Sequence, residues 1–251
     1  MITLQELCDK LDLLLDSSLY KDYCPNGLQV EGKSEVRTVA TAVTASVAAI
    51  EQAVEAGVDA LFVHHGMFWN RDPYVVTGVK KKKLQLLLSH GISLIAYHLP
   101  LDAHTTVGNN WKAAKDLGWE QLEAFGLFDG VAIGVRGIFP EMSRDHFQQR
   151  LESYYGQEAR TALGGNEMVS SVALISGGAY RSIEEASAAG IDCFITGNFD
   201  EPAWHLAHEG GVNFYAMGHS ATERVGPKAV AAYLESRFDL KVTFLPDGNP
   251  F

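Results

Sequence analysis

Two stretches 133 residues apart follow one pattern, and this repeat restricts the fold more than any other feature of the chain. "AAIEQAVEAGVDALFV" (48–63) and "YRSIEEASAAGIDCFIT" (180–196) align Ile50/Ile183, Glu51/Glu184, Ala53/Ala186, Ala56/Ala189, Gly57/Gly190 and Asp59/Asp192. Each copy reads as an amphipathic helix, a glycine stop and an apolar strand. The period is far too long for a solenoid, so the pattern predicts a duplication of two similar βαβ halves.

The flanking segments extend that pattern. "MITLQELCDKLDLLL" (1–15) predicts a helix opened by a Thr3–Glu6 capping box, with Leu4, Leu7, Leu11 and Leu14 on one stripe. "PNG" (25–27) marks a turn into a short strand, and 36–45 reads as a strand rich in β-branched residues. A Ser46-capped helix follows, then the strand "VDALFVHHG", a lysine-led helix over 80–91, and a strand from 92 that runs into a polar loop ending near His104. Lys80–Lys83 read as a solvated first turn. Residues 130–139 predict a strand, 143–156 a capped helix ending at Gly156, and 159–163 another strand. Alternation of this length indicates an α/β fold with mostly parallel sheets. With no Pro- or Ser-rich linker, the two halves are drawn at 1–127, carrying His64, His65, His98 and Asp102, and at 128–251, carrying His219 and Glu223.

Charge and cysteine content exclude several classes. A formal net charge of −11 argues against a sequence-independent grip on nucleic acid and against an anionic membrane surface. Cys8, Cys24 and Cys193 contain no CxxC pair, which predicts neither a disulfide framework nor a zinc knuckle and places the protein in the cytoplasm. The N-terminus lacks the basic region of a signal peptide, and no apolar run reaches membrane-spanning length. GxSxG, Walker A and GxGxxG motifs are absent, and no histidine is placed to suggest a thiolate nucleophile. The amides of "SGGAY" (176–180) could cradle a phosphate, but Gly-Gly between a strand and a helix reads first as plain turn chemistry.

The histidines and acids carry the chemistry. "YHLPLD" holds His98 and Asp102, and "GHSATE" holds His219 and Glu223, both in the spacing H-x-x-x-[D/E]; 219 − 98 = 121 and 223 − 102 = 121. Each follows a strand-like run, as do His64 and His65, and ligands of open α/β sheets bind outside the carboxyl ends of strands. Imidazoles with carboxylates suit divalent iron, zinc, manganese, nickel or magnesium. Neighbours on a strand point to opposite sides, so His64 and His65 are expected to flank two ions, one each, with a carboxylate between. Two ions about 3.5–4 Å apart form a hydrolytic centre. His98 is the candidate to orient Asp102 or a ligand histidine through its ring N–H. His104 stands beside the site, while His90, His146, His205 and His208 read as surface or packing residues.

"PNGLQVEG" (25–32), "VHHGMFW" (63–69), "HLPLDAH" (98–104), "ITGNFDE" (195–201) and "GHSATER" (218–224) resemble the signature blocks of the NIF-three-like family, whose members are labelled GTP cyclohydrolase 1 type 2 homologues. The resemblance runs from the first helix nearly to the C-terminus and is to the compact bacterial form. It implies two interlinked, similar α/β domains, a toroidal homohexamer built as a trimer of dimers, and a dinuclear metal site in the cleft between domains. It also implies His64, His65, Asp102, His219 and Glu223 as ligands, with Glu223 the bridge. The expected function is hydrolysis of a small molecule, a nucleotide among the candidates, with Glu223 and His98 in catalytic roles and Asn26 and Gly27 at the pocket rim. A non-catalytic metal-binding regulatory or chaperone-like ring is the alternative.

Overall fold

The computed structural model describes residues 1–251, which divide into two compact units. The first comprises Met1–Leu101 and Gly226–Gly248, the second Asp102–Val225 and Asn249–Phe251. The first unit begins with β1 (Ile2–Thr3), α1 (Leu4–Leu15), β2 (Gly27–Val30), β3 (Glu35–Val36), β4 (Thr38–Thr44), α2 (Val47–Glu55), β5 (Ala60–His65), α3 (Gly78–His90) and β6 (Ser93–Ala96). Helix α4 (Leu99–Ala103) carries the chain into the second unit. That unit contains α5 (Asn109–Asp116), β7 (Glu120–Phe128), β8 (Val131–Ser143), α6 (Arg144–Tyr155), β9 (Arg160–Leu163), β10 (Met168–Leu174), α7 (Ile183–Ala188), β11 (Cys193–Thr196), α8 (Pro202–Gly210), β12 (Asn213–Ala216) and α9 (His219–Glu223). Nearly all of α10 (Val225–Arg237), and then β13 (Lys241–Phe244), return to the first unit.

The units therefore divide at Leu101/Asp102, Val225/Gly226 and Gly248/Asn249, whereas the sequence drew one boundary near 127. A cut at 127 would sever β7, which is held along its length by β8. Asp102 belongs to the second unit.

The duplication is visible in strand order. The first unit holds a five-stranded sheet ordered β13-β4-β5-β6-β2, the second a six-stranded sheet ordered β7-β8-β10-β11-β12-β9. Each contains three parallel strands joined by helices, flanked beyond the third by an antiparallel strand that precedes them in the chain (β2, β9). Val39 pairs with Ala60, and Val172 with Cys193, which is the 133-residue offset of the sequence repeat. Ile50, Ala53, Ile183 and Ala186 bury the matching faces of α2 and α7, and Gly57 and Gly190 both take the left-handed conformation that ends a helix, with φ 62° and 68°.

The repeated aspartates share one task. Asp59 Oδ2 accepts from the amides of Arg37 and Thr38 and from the Thr38 hydroxyl, at 2.9–3.1 Å. Asp192 Oδ2 accepts from the amides of Ser170 and Ser171 and the Ser171 hydroxyl, at 2.8–3.0 Å. Each satisfies the strand-edge N–H groups beside the first parallel strand, which would otherwise be half-buried donors without partners.

Two expectations change. The first sheet is mostly parallel as expected, but the second is not: β7, β8 and β10 run antiparallel, because the β7–β8 hairpin supplies strands where the first unit has only β13. The loop after β6 is the short helix α4, and it carries Asp102. Otherwise the local signals hold. The Thr3–Glu6 capping box is formed, Leu4, Leu7 and Leu11 are buried with Cys8 and Leu15, and Leu14 is half-buried. Lys80–Lys83 lie in the first turns of α3, where Lys82 pairs with Glu51. No helix is long and apolar enough to cross a membrane.

Candidate metal centre

In the first unit the imidazoles gather where β5 and β6 end. His64 is fully buried, and its Nδ1 lies 3.2 Å from the Tyr97 carbonyl oxygen. A carbonyl only accepts, so the ring proton sits on Nδ1 and the lone pair on Nε2. His65 Nδ1 lies 3.0 Å from Thr44 Oγ1. The two rings do not diverge to opposite sides as strand alternation predicts; their centroids are 4.6 Å apart. Both residues belong to β5, and the contacts of their rings with the Tyr97 carbonyl and Thr44 Oγ1 fix where each ring lies. The "PNGLQVEG" block holds the loop that follows: Gln29 Oε1 accepts from the Met67 amide at 2.9 Å, and a Cβ on Gly66 would strike the Gln29 amide at 2.3 Å.

His98 joins this cluster, with ligand atoms of His64, His65 and His98 within 4.8 Å of one another. Its Nδ1 donates to Asp22 Oδ1 at 2.7 Å, and its backbone N–H donates to Asn26 Oδ1 at 2.8 Å. The orienting partner of the His98 ring is thus Asp22, which the sequence did not single out. The Asp22 carboxylate also accepts from the amides of Tyr23 (2.6 Å) and Leu99 (2.9 Å) and from Asn26 Nδ2 (3.0 Å). Burial disfavours its charge, yet the His98 ring, Asn26 and the Leu99 amide more than offset this and hold its carboxyl below the usual range. Asn26 stands beside this cluster through its bond to the His98 backbone N–H, and Gly27 next to it has φ 100°.

In the second unit the acids gather around α9 and the 176–178 loop. His219 Nδ1 lies 3.0 Å from Asn198 Oδ1, and its Nε2 lies 3.2 Å from Oε1 of Glu223, one helical turn on. Glu223 is 3 % exposed. Asp102 Oδ1 accepts from Asn109 Nδ2 at 2.9 Å and from Ser176 Oγ at 2.7 Å. Asn110 braces the same place, donating to the Asp102 and Ile133 carbonyls and accepting from the Ser176 amide. The "SGG" turn is therefore a wall around the carboxylates. Its amides at Ser176, Gly177 and Ala179 donate to Asn110, Thr222 and Thr196, so the phosphate-cradle reading fails.

The repeat is out of step here by one residue. β5–β6 pairs Val63 with Ala96 and β11–β12 pairs Thr196 with Ala216, an offset of 216 − 96 = 120, while the motif histidines are offset by 121. Gly218, with φ 90°, is the extra residue. His98 consequently precedes its helix and is tied to Asp22, whereas His219 is the first residue of α9. The 133-residue offset places Gly197 and Asn198 where the first unit has His64 and His65. Asn109 and Asn110 had no sequence signal of their own; Ser176 lay in the "SGGAY" turn and Asn198 in the "ITGNFDE" block without either being singled out, and the repeat register could also have pointed to Asn198.

The remaining candidates fall away from the chemistry. His104 Nδ1 accepts from the amides of Thr106 and Val107 and caps a turn. His90, His146, His205 and His208 are exposed on helices or at their ends. Burial, with Asp12 or Asp22 nearby, pushes the Cys8 and Cys24 thiols up to about 11 and about 12.

The first unit presents side chains that could bind a metal, and the second carries His219, Glu223 and Asp102. The donors fit one: the rings of His64, His65 and His219 are each held through Nδ1 by a protein oxygen, the outer support that metal-binding imidazoles use.

The comparisons agree on family. A protein from Chlamydia trachomatis named GTP cyclohydrolase 1 type 2 homolog is 53% identical over 252 residues, covering 100% of both chains. The solved structure of protein ybgI, described as of unknown function, superposes with TM-score 0.93 at 38% identity, again covering 100% of both chains. Reduced HcgD from Methanocaldococcus jannaschii superposes with TM-score 0.86 at 26% identity, covering 97% of this chain and 98% of its own. Since the Duf34/NIF3 (NGG1p interacting factor 3) family pattern also matches residues 2–250, this chain belongs to that family.

Proposed function

We propose that His64, His65, Asp102, His219 and Glu223 together hold a pair of divalent ions in each subunit, and that the protein is a metal-dependent hydrolase of a small molecule. The observation that carries this reading is the shared Nδ1 support of the three imidazoles, which would leave Nε2 of each to ligate. Asp102 offers Oδ2, because Oδ1 takes two hydrogen bonds. Glu223, buried at the end of α9, serves as the bridge. Chain connectivity favours the arrangement: Asp102 stands four residues after His98, and Glu223 three residues before the chain returns to the first unit.

Bound there, such ions would supply Lewis acidity and would lower the pKa of a water. The donor set suits iron, zinc, manganese, nickel or magnesium. Two carboxylates would offset part of the ionic charge, and the three imidazoles would ligate as neutral rings. A nucleotide is the first substrate class to try, given the name carried by the relatives. A homohexamer, a trimer of dimers, is the assembly we assign from the family resemblance, and a native-mass measurement tests it.

Metal analysis of protein purified without chelator tests the centre. About two equivalents per chain are expected, with a marked loss in Glu223→Ala; undiminished content in that variant removes the bridging role. Assays with added manganese, iron or zinc, over nucleotides, phosphodiesters and cyclic amides, test the hydrolase. Turnover abolished by His64→Ala supports it, whereas silence on every substrate with the ions in place favours a metal-binding regulatory ring.

A further inference from the structure

The stretch between β5 and α3 puts apolar side chains where water is. Tyr74 is 98% exposed, Val75 66%, Val76 50% and Val79 63%, so four apolar side chains within six residues face solvent. A single exposed apolar side chain is ordinary, whereas a contiguous group marks a surface that another molecule covers. The segment is also held in place. The Asn70 amide donates to the Tyr23 carbonyl at 2.8 Å, the Asp72 amide to the Trp69 carbonyl at 2.9 Å, and Lys80 Nζ to the Pro73 carbonyl at 2.8 Å. Polar bonds fix both ends of the loop while its apolar side chains stay outside.

Charge narrows the kind of partner. Residues 71–83 hold Arg71 and Lys80–Lys83 against one acid, Asp72. The rest of the chain then has 20 − 5 = 15 cations and 31 − 1 = 30 acids, so this loop and the start of α3 form a basic island on an acidic protein. Lys82 pairs with Glu51, while Lys81 has no acid within ion-pair distance.

The same unit carries the complement. β2 is the edge of its sheet, paired with β6 alone, and no backbone hydrogen bond engages its outer side. Beside it, against α1, opens a cavity of about 560 Å3 with Leu4, Cys8 and Leu28 as apolar lining and Asp12, Glu31 and Glu35 as its charges. No lysine or arginine lines it. Arg37 approaches Glu35 at 3.7 Å, but Glu31 has no cation beside it, and Leu28 is exposed although it lies in a strand.

We propose that this cavity receives the 74–79 loop of a second copy of the chain, with Tyr74 and Val76 against Leu4 and Leu28, and Lys81 against Glu31. One copy offers both halves of the contact: a basic apolar loop, and an acidic apolar cleft beside an open strand edge. Each half covers what the other leaves exposed, and the loop shields the β2 edge from unspecific pairing. The homohexamer assigned from family resemblance specifies no surface; this contact supplies one, and it depends on neither the metal centre nor the hydrolase reading.

The test uses the full-length protein and two readouts, native mass by light scattering and disulfide mapping. Copies carrying Leu28→Cys, co-expressed with copies carrying Val76→Cys, should form under mild oxidation a covalent pair made of one copy of each kind. The three native cysteines are buried and stay out of that reaction. Val76→Glu should shift the native mass to a smaller species than wild type. Glu31→Lys should weaken the assembly at least about tenfold on dilution, and adding Lys81→Glu to the same chain should restore it, which a merely misfolded variant would not do. A monomeric wild type, a native mass unchanged in Val76→Glu, or cysteine copies that never cross-link to each other overturns the proposal. The disulfide map decides even if Glu31→Lys fails to fold, because Leu28 and Val76 are both exposed.

Discussion

Gly177 lies directly under the carboxylate of Glu223: a Cβ at position 177 would sit 2.3 Å from Glu223 Oε1 and 3.4 Å from His219 Cε1. The backbone there has φ 68°, where an L side chain is strained in its own right. Gly177→Ala should therefore displace Glu223 and cost about 1–3 kcal/mol from the backbone alone. Metal analysis alongside a denaturant titration reads both effects; full metal content in a destabilised variant would separate the turn from the ligand.

Asn198 holds the His219 ring at 3.0 Å without being a ligand itself. Asn198→Ala leaves the fold in place and frees the ring to rotate. Metal affinity should fall by about 10–100-fold, measured by competition with a chromogenic chelator, with the melting temperature nearly unchanged.

Asp59 gives the first unit a pH-dependent stability. Burial opposes its ionisation, but the Arg37 amide, the Thr38 hydroxyl and amide and Lys33 outweigh it and hold its carboxyl below its ordinary value of 3.8. A depressed carboxyl contributes stability that is fully present above the unfolded value and lost as pH falls through the folded one. Urea titrations in the acid range should show a loss below about pH 3.8 that Asp59→Asn flattens, with the variant less stable at neutral pH by about 1–2 kcal/mol. Asp192→Asn should cost a similar amount at neutral pH, because Asp192 makes the equivalent hydrogen bonds.

All three thiols are buried, and burial raises the pKa of each. A neutral-pH alkylating reagent should label the native protein slowly and all three cysteines rapidly in urea. Fast native labelling at Cys24 would mean that the Asp22–Asn26 segment opens in solution.

Much of the fold was legible because its signals are local. The Thr3–Glu6 cap, the glycine stops and the Ile50/Ile183 and Ala53/Ala186 faces depend on neighbours three or four residues away, and all of them recur in the structure. The mixed character of the second sheet was not legible. The direction in which β7 and β8 pair with β10 depends on which strands meet across about thirty residues of chain, and periodicity does not record that. Asp22, Asn198 and Ser176 were missed for the same reason, since an isolated polar residue in a loop carries no period.

The sequence by itself determined the α/β class, the duplication and the histidines and acids placed at strand ends, because these follow from spacing along one chain. Only the tertiary structure decided that His64 and His65 face each other rather than diverge, that His98 belongs to Asp22, and that one extra glycine, Gly218, sets the two motifs out of register. Side-chain direction at the end of a strand, and the partner that fixes a ring's tautomer, are settled by packing among residues distant in the chain.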